Sequence, residues 1–218
     1  MHAKSQTNQN LALFDFDGTL YKKDSFTGFI FYALSKRHII RRGIPIYAWI
    51  QAYYLKLYPA HAMRPKLFHA MFKKCNVNEI DHIAREYAQY LIQDFNPELL
   101  KQLRLHQAHG DQVVLVSATI DIYLKYVAEY LNIALICSHV EIQNGKYTGH
   151  YINSDCSNQE KANQVLKQYK LSHYKHIYAY GNSDEDLAML NLANYPFYVG
   201  KTQLLPNIEQ SKHKKATA

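Results

Sequence analysis

Five short apolar runs constrain what this 218-residue chain can fold into: residues 11–16, 113–117, 134–137, 177–180 and 197–199. Each is nearly continuous rather than a strict alternation of apolar and polar residues. A strand reads that way when both of its faces are covered, as in a parallel sheet between layers of helices. Helical patterns at about 97–109, 120–131 and 159–169 separate the later runs. The alternation predicts an α/β fold with a doubly wound, Rossmann-like parallel sheet.

The first connection breaks the rhythm. About 95 residues part the first run from the second, far more than a strand-to-helix connection needs. Residues 21–95 hold no convincing strand but several helical stretches, and are expected to form a helical subdomain inserted after the first strand. That leaves 1–20 and 96–218 for the core. Such an insertion would overhang the carboxyl ends of the strands, where open α/β sheets bind ligands. In the stretch VEIQNGKYTGHYI, Asn144-Gly145 between alternating residues predicts a small β-hairpin.

Composition bounds the function. The formal charge of +7 points to an anionic partner: a phosphorylated metabolite, nucleic acid or an anionic membrane surface. The basic residues form no long arm or repeated module, so nucleic acid is not expected. Cys75, Cys137 and Cys156 lie far apart without a CxxC pair, as in a cytoplasmic protein with reduced thiols. The start, MHAKSQTNQN, lacks the apolar centre of a signal peptide, and the end, SKHKKATA, reads as a frayed, solvated tail. His106 and His109 share a helix face, but no further ligand stands nearby and no metal site is expected there.

The stretch RHIIRRGIPIYAWIQAYYLKLYP, residues 37–59, stands out, and its apolar part carries Gln51 and Lys56 and is too short for a transmembrane helix. Its aromatics, including the sole Trp49, and the cluster Lys36, Arg37, Arg41 and Arg42 suit a helix at a membrane interface. That reading places the protein peripherally on the inner face of the cytoplasmic membrane. The ordinary alternative is a helix packed into the subdomain's own core with a solvated basic flank.

The first run ends on chemistry. In LALFDFDGTL, Asp15 and Asp17 are two residues apart, a spacing that puts side chains on one side of a strand. At a strand end they can share a pocket and a cation, since like charges so close do not both ionise cheaply without one. A hard oxygen site of this kind suits Mg²⁺. Gly18 lets the backbone turn and approach a ligand, and Thr19 adds a hydroxyl. The plainer reading is an Asp-Gly turn. VVLVSAT sets Ser117 and Thr119 just beyond the second run, before a helix. There, hydroxyls and free N–H groups make a phosphate cradle, or simply a helix cap. SNQEKANQVLK puts Lys161 near a helix start, where the dipole opposes a cation unless solvent exposes it. IYAYGNSDEDLAML leads a strand into Asn182, Asp184, Glu185 and Asp186. These read as metal ligands or as acids favoured at a helix N-terminus.

In that order the four segments resemble the haloacid dehalogenase-like hydrolase superfamily. The likeness is to its phosphatases with a helical cap after the first motif, phosphoserine phosphatase-like enzymes and a subgroup including phosphatidylglycerophosphate phosphatases. The resemblance implies Asp15 as nucleophile and Asp17 as general acid/base. It implies Thr19, Ser117, Ala118 and Lys161 around the phosphoryl group, and Asp15, Asp17, Asn182 and Asp186 around Mg²⁺. The implied reaction is Mg²⁺-dependent hydrolysis of a phosphomonoester through an aspartyl-phosphate. The substrate would be a lipid headgroup such as phosphatidylglycerophosphate or a soluble metabolite such as phosphoserine. A non-catalytic phosphate-binding module is the reading from another class. One residue departs from the pattern: Asn182 stands where the family usually has Asp, and Asp184 is an extra carboxylate nearby.

Overall fold

The structure, a computed structural model, describes residues 9–208. The tail SKHKKATA and all but the last two residues of MHAKSQTNQN lie outside the described residues.

Five parallel strands form the sheet: β1 (Leu11–Phe14), β2 (Gln112–Ile120), β3 (Ala134–Ser138), β6 (Ile177–Gly181) and β7 (Tyr195–Tyr198), in the order β3-β2-β1-β6-β7. β1 is central, with Leu11 opposite Gln112 on one side and Ile177 on the other. Both faces are covered, which is why the run is continuously apolar. Ala12 and Phe14 enter one core layer, Leu11 and Leu13 the other. Phe14 also stacks on Tyr180 with ring centroids 4.2 Å apart.

Two strand limits differ from the sequence reading, and both bear on the site. β1 stops at Phe14, so Asp15 and Asp17 lie past the regular strand rather than on one pleat face. Asp15 still donates its N–H to Tyr180 O at 2.9 Å. β2 runs on through Ser117, Ala118 and Thr119, which therefore sit within a strand rather than beyond one.

The helices α6 (Pro97–His109), α7 (Asp121–Leu131) and α8 (Gln159–Gln168) cover the sheet. Asn96 caps α6 ahead of Pro97, and Gly110, in the left-handed region, ends it. His106 is fully buried, held between Asp111 and the Tyr180 hydroxyl; it ties α6 to the sheet.

Between β1 and α6 lie α1 (Ser25–Ala33), α2 (Lys36–Gly43), a 3₁₀ turn (Ile44–Ile46), α3 (Tyr47–Tyr54), α4 (Ala60–Phe72) and α5 (Val77–Ile92). Phe29, Phe72, Tyr87 and Tyr123 pack where α1, α4, α5 and α7 meet. The hairpin β4 (Val140–Gln143) and β5 (Lys146–Tyr151) forms about Asn144-Gly145. It belongs in sequence to the later segment, yet it bonds the inserted one. Lys74 N–H reaches Tyr147 O at 2.8 Å, Val77 N–H reaches Gly145 O at 3.0 Å, and Tyr147 N–H reaches Cys75 O at 3.1 Å.

The 37–59 stretch packs on the core only in part. Pro45 interrupts it, and α2, the 3₁₀ turn and α3 contain no buried residue. Only Ile39 and Ile46 of these elements pack, half-buried, against the core. Among the described residues, no helix is long and apolar enough to cross a membrane.

Candidate active site

The sheet delivers its chemistry at the carboxyl end of β1. Asp15 is buried, 4% exposed. Its Oδ1 lies 2.5 Å from Lys161 Nζ, and its Oδ2 accepts from Thr19 Oγ1 at 2.9 Å. The chain then turns tightly, with Thr19 and Tyr21 both donating N–H to Phe16 O. Gly18 has φ +77°, and a Cβ there would meet Asn182 Nδ2 at 2.0 Å. The turn therefore needs glycine for its conformation and for the approach of Asn182.

Asp17 shares the cavity but not the contacts. Its Oδ1 accepts from the N–H of Ser25, at the start of α1, at 2.9 Å. Burial, with Asp24's charge adding to it, pushes the Asp17 carboxyl up to about 7. Asp15 is pushed up to about 6 by burial, with Lys161 opposing and Asp186 adding to the rise. Two neighbouring carboxyls thus have different environments, one anchored by a cation and one inclined to hold its proton.

Lys161, third residue of α8, is 2% exposed; solvent exposure is excluded as its reason for standing there. Its ammonium bridges Asp15 Oδ1 and Asp186 Oδ1. Burial pulls its pKa down, but the two carboxylates together hold it above the usual value. Asp186, expected at the metal, spends its oxygens elsewhere. Oδ1 takes Lys161, while Oδ2 accepts from Asn182 N–H, Ser183 N–H and Ser183 Oγ, each at 3.0 Å. Burial works against its charge, and Lys161 with those N–H groups holds the carboxyl below its ordinary value. Gly181 makes this fit possible, since a Cβ there would lie 2.6 Å from Asp186 Cβ. Asp184 accepts a hydrogen bond from Tyr198 Oη at 3.3 Å, in an exposed pair.

Ser117 and Thr119 are buried beside Asp15, with Thr119 N–H on Ser117 Oγ at 3.2 Å. A hydroxyl chain runs on from Thr119 Oγ1 to Tyr123 Oη and from there to Ser25 Oγ at 2.8 Å. Ser117, Ala118, Asp15, Asp17, Lys161 and Asp186 border one cavity of about 200 Å³. Thr19 and Asn182 stand behind Asp15.

The donor set fits a hard divalent cation. The inward atom of the Asn182 amide lies 3.0 Å from the Asp17 carbonyl oxygen and 3.3 Å from both Asp15 Oδ2 and Thr19 Oγ1. With nitrogen inward, the amide donates to these oxygens. With oxygen inward, oxygens crowd around a point that a cation such as Mg²⁺ would hold. Asp17 then joins the cluster through its backbone carbonyl, leaving its carboxyl to the cavity. Among the described residues, no group of three or more His, Cys, Asp or Glu could hold a metal; Asn182 and a backbone oxygen would have to complete such a site.

Sequence reasoning missed the residues of the inserted segment. Arg64 of α4 borders the cavity and forks onto Asp155, both nitrogens at 2.8 Å, and onto Glu185 at 3.0 Å. Burial lowers its pKa, but these two carboxylates hold it above the ordinary value. Its partners lie 91 and 121 residues away, so no local pattern could reveal the clamp. Tyr53 and Asp24 also border the cavity.

The family described as haloacid dehalogenase-like hydrolase matches residues 12–191. A histidinol-phosphatase from Neisseria meningitidis is 27% identical over 95% of each chain. Protein CicA from Caulobacter vibrioides is 27% identical over 88% of this chain and 87% of its own. Among solved structures, a Bordetella pertussis protein of unknown function superposes with TM-score 0.72 at 24% identity, covering 86% of this chain and 88% of its own. A phosphoserine phosphatase solved as a phospho-aspartyl intermediate analogue gives TM-score 0.58 at 18% identity, covering 86% of this chain and 84% of its own.

Proposed function

Because the chain belongs to the haloacid dehalogenase-like hydrolases, we propose that it is a Mg²⁺-dependent phosphomonoesterase working through an aspartyl-phosphate on Asp15. One observation carries the reading. A carboxylate anchored by Lys161 and Thr19 shares a small cavity with a carboxyl pushed up to about 7. This is the division of labour that nucleophile and general acid require.

Asp15 attacks phosphorus, and the bond to the ester oxygen breaks as Asp17 gives that oxygen its proton. Asp17, now ionised, takes a proton from water, whose oxygen attacks phosphorus and breaks the bond to Asp15. Lys161, the Ser117 hydroxyl and the backbone at Ala118 hold the phosphoryl oxygens. Asp186 is a positioning residue that sets the Lys161 ammonium against Asp15. Mg²⁺, when held by Asp15, the Asp17 carbonyl and Asn182, would offset the phosphoryl charge. The inserted helices with Arg64 close the cavity against bulk water.

The substrate we favour is a soluble phosphorylated amino alcohol. Among the described lining residues, with Asp17 holding its proton, four carboxylates (Asp15, Asp24, Glu185 and Asp186) face two cations, Lys161 and Arg64. The balance suits a leaving group with positive charge, and the name of the meningococcal relative supports the same class. A phosphorylated lipid headgroup such as phosphatidylglycerophosphate is the second reading, favoured by the exposed aromatic surface of α2 and α3. Mg²⁺-dependent phosphate release from a panel of histidinol phosphate, phosphoserine and phosphatidylglycerophosphate in micelles tests both. The account expects histidinol phosphate to give the highest kcat/KM. Preference for the lipid would select the second reading, and no release from any substrate would leave a phosphate-binding module.

A further inference from the structure

Charge is segregated in this chain to an unusual degree. Residues 25–78 contain nine of the 25 Lys and Arg and none of the 18 Asp and Glu. The remainder is slightly acidic, so the formal charge of +7 belongs entirely to residues 25–78 of the insertion. The same segment exposes its apolar side chains. Ile40, Ile44, Tyr47, Tyr54, Leu55 and Leu57 are each more than 60% exposed. Arg37, Arg41 and Lys56 stand exposed among them. Trp49 is 44% exposed, with Lys66 Nζ 4.4 Å from its ring centroid. Large apolar side chains exposed together along one segment point to a docking surface.

We propose that α2, the 3₁₀ turn and α3 seat this protein on an anionic lipid bilayer. Aliphatic and aromatic side chains enter the acyl boundary, and the basic residues meet the headgroups. The occupant follows from the chemistry. A second copy of this chain would bring the same acid-free face against itself across a two-fold axis, cation against cation. Nucleic acid would match the charge but leave Ile40, Ile44, Leu55 and Leu57 against phosphates. An anionic bilayer meets both the charge and the apolar surface. The surface is also continuous with the active site, since Tyr53 of α3 borders the catalytic cavity.

Vesicle co-sedimentation tests this, independently of any catalysis. Unilamellar vesicles of phosphatidylcholine alone are compared with vesicles in which about a third of the lipid is phosphatidylglycerol, at low and high salt. Each cation near such a surface contributes enough to change partitioning several-fold. The double variant Arg37→Glu/Arg41→Glu should therefore bind anionic vesicles at least about tenfold more weakly. The pair Ile44→Ser/Leu57→Ser should weaken binding while retaining its salt dependence. Trp49, as the sole tryptophan, reports insertion directly: its emission should shift to the blue with anionic vesicles and not with neutral ones. Both variants should hydrolyse a soluble aryl phosphate at the wild-type rate, which certifies their fold. Equal binding to neutral and anionic vesicles would overturn the proposal. So would no binding to either, or vesicle-free dimers that the same substitutions dissolve.

Discussion

Lys161→Met removes a cation and keeps most of the volume, so it isolates what the ammonium does for the fold. Lys161, Asp15 and Asp186 have side chains only 2%, 6% and 1% exposed. Solvent cannot take over when the cation is lost, and breaking a buried pair in this way costs about 3–5 kcal/mol. For a chain of this length that lowers Tm by about 10 °C. The loss should depend on pH with a definite sign. In the wild type Asp186 sits below its ordinary value, so its stabilisation is present above the unfolded pKa and lost as pH falls through the folded one. In the variant both carboxyls are buried without a counter-ion, their pKa values rise, and protonation relieves the penalty. The stability gap should therefore be widest at pH 7 to 8 and narrow as pH falls towards about 5. Urea unfolding followed by circular dichroism, in EDTA so that no cation substitutes, measures it. A gap below about 1 kcal/mol, or one flat across that pH range, would refute the reasoning.

Three other outcomes follow from the same contacts. Asp24→Asn keeps a capping side chain on α1 but removes the charge that helps hold Asp17 near 7. The alkaline limb of the kcat/KM profile should move to lower pH, because a general acid with a lower pKa loses its proton sooner; an unmoved limb would contradict this. Asn182→Asp adds a charge to the oxygen cluster and should lower the Mg²⁺ concentration for half-maximal activity several-fold, read from a metal titration. Gly18→Ala forces a left-handed backbone on alanine, costing roughly 1–2 kcal/mol, and drives a methyl into Asn182. It should lose both stability and Mg²⁺ response, so a variant with normal metal dependence would show that Gly18 is only a turn residue.

The sheet was legible because burial on both faces leaves its mark on each residue of a strand. Phe14 and Leu13 must both be apolar when each faces a core layer. The helix expected at about 97–109 forms there, and its ends are fixed by local capping, Asn96 ahead of Pro97 and Gly110 after His109. Part of the site was legible from its segments: Asp15 just past β1, Ser117 within β2 and Lys161 at the start of α8 meet at one cavity. Two kinds of information were absent. The division of oxygens at Asp186, given to Lys161 and the 182–183 backbone, depends on side-chain geometry that spacing does not encode. Arg64 meets Asp155 and Glu185 only because the inserted helices lie over the core, and the hairpin's bonds to residues 74–77 are long-range for the same reason. The exposure of α2 and α3 could not be read either, since an amphipathic pattern looks the same against a core as against a bilayer.

The most direct measurement is to trap the intermediate. Enzyme and substrate are acid-quenched within the first turnover, and the digested peptides are searched for a phosphoryl group by mass spectrometry. The account predicts an adduct on Asp15, absent in Asp15→Asn, together with loss of turnover in that variant. Phosphate release at full rate with no adduct, or an adduct on any other residue, would contradict it.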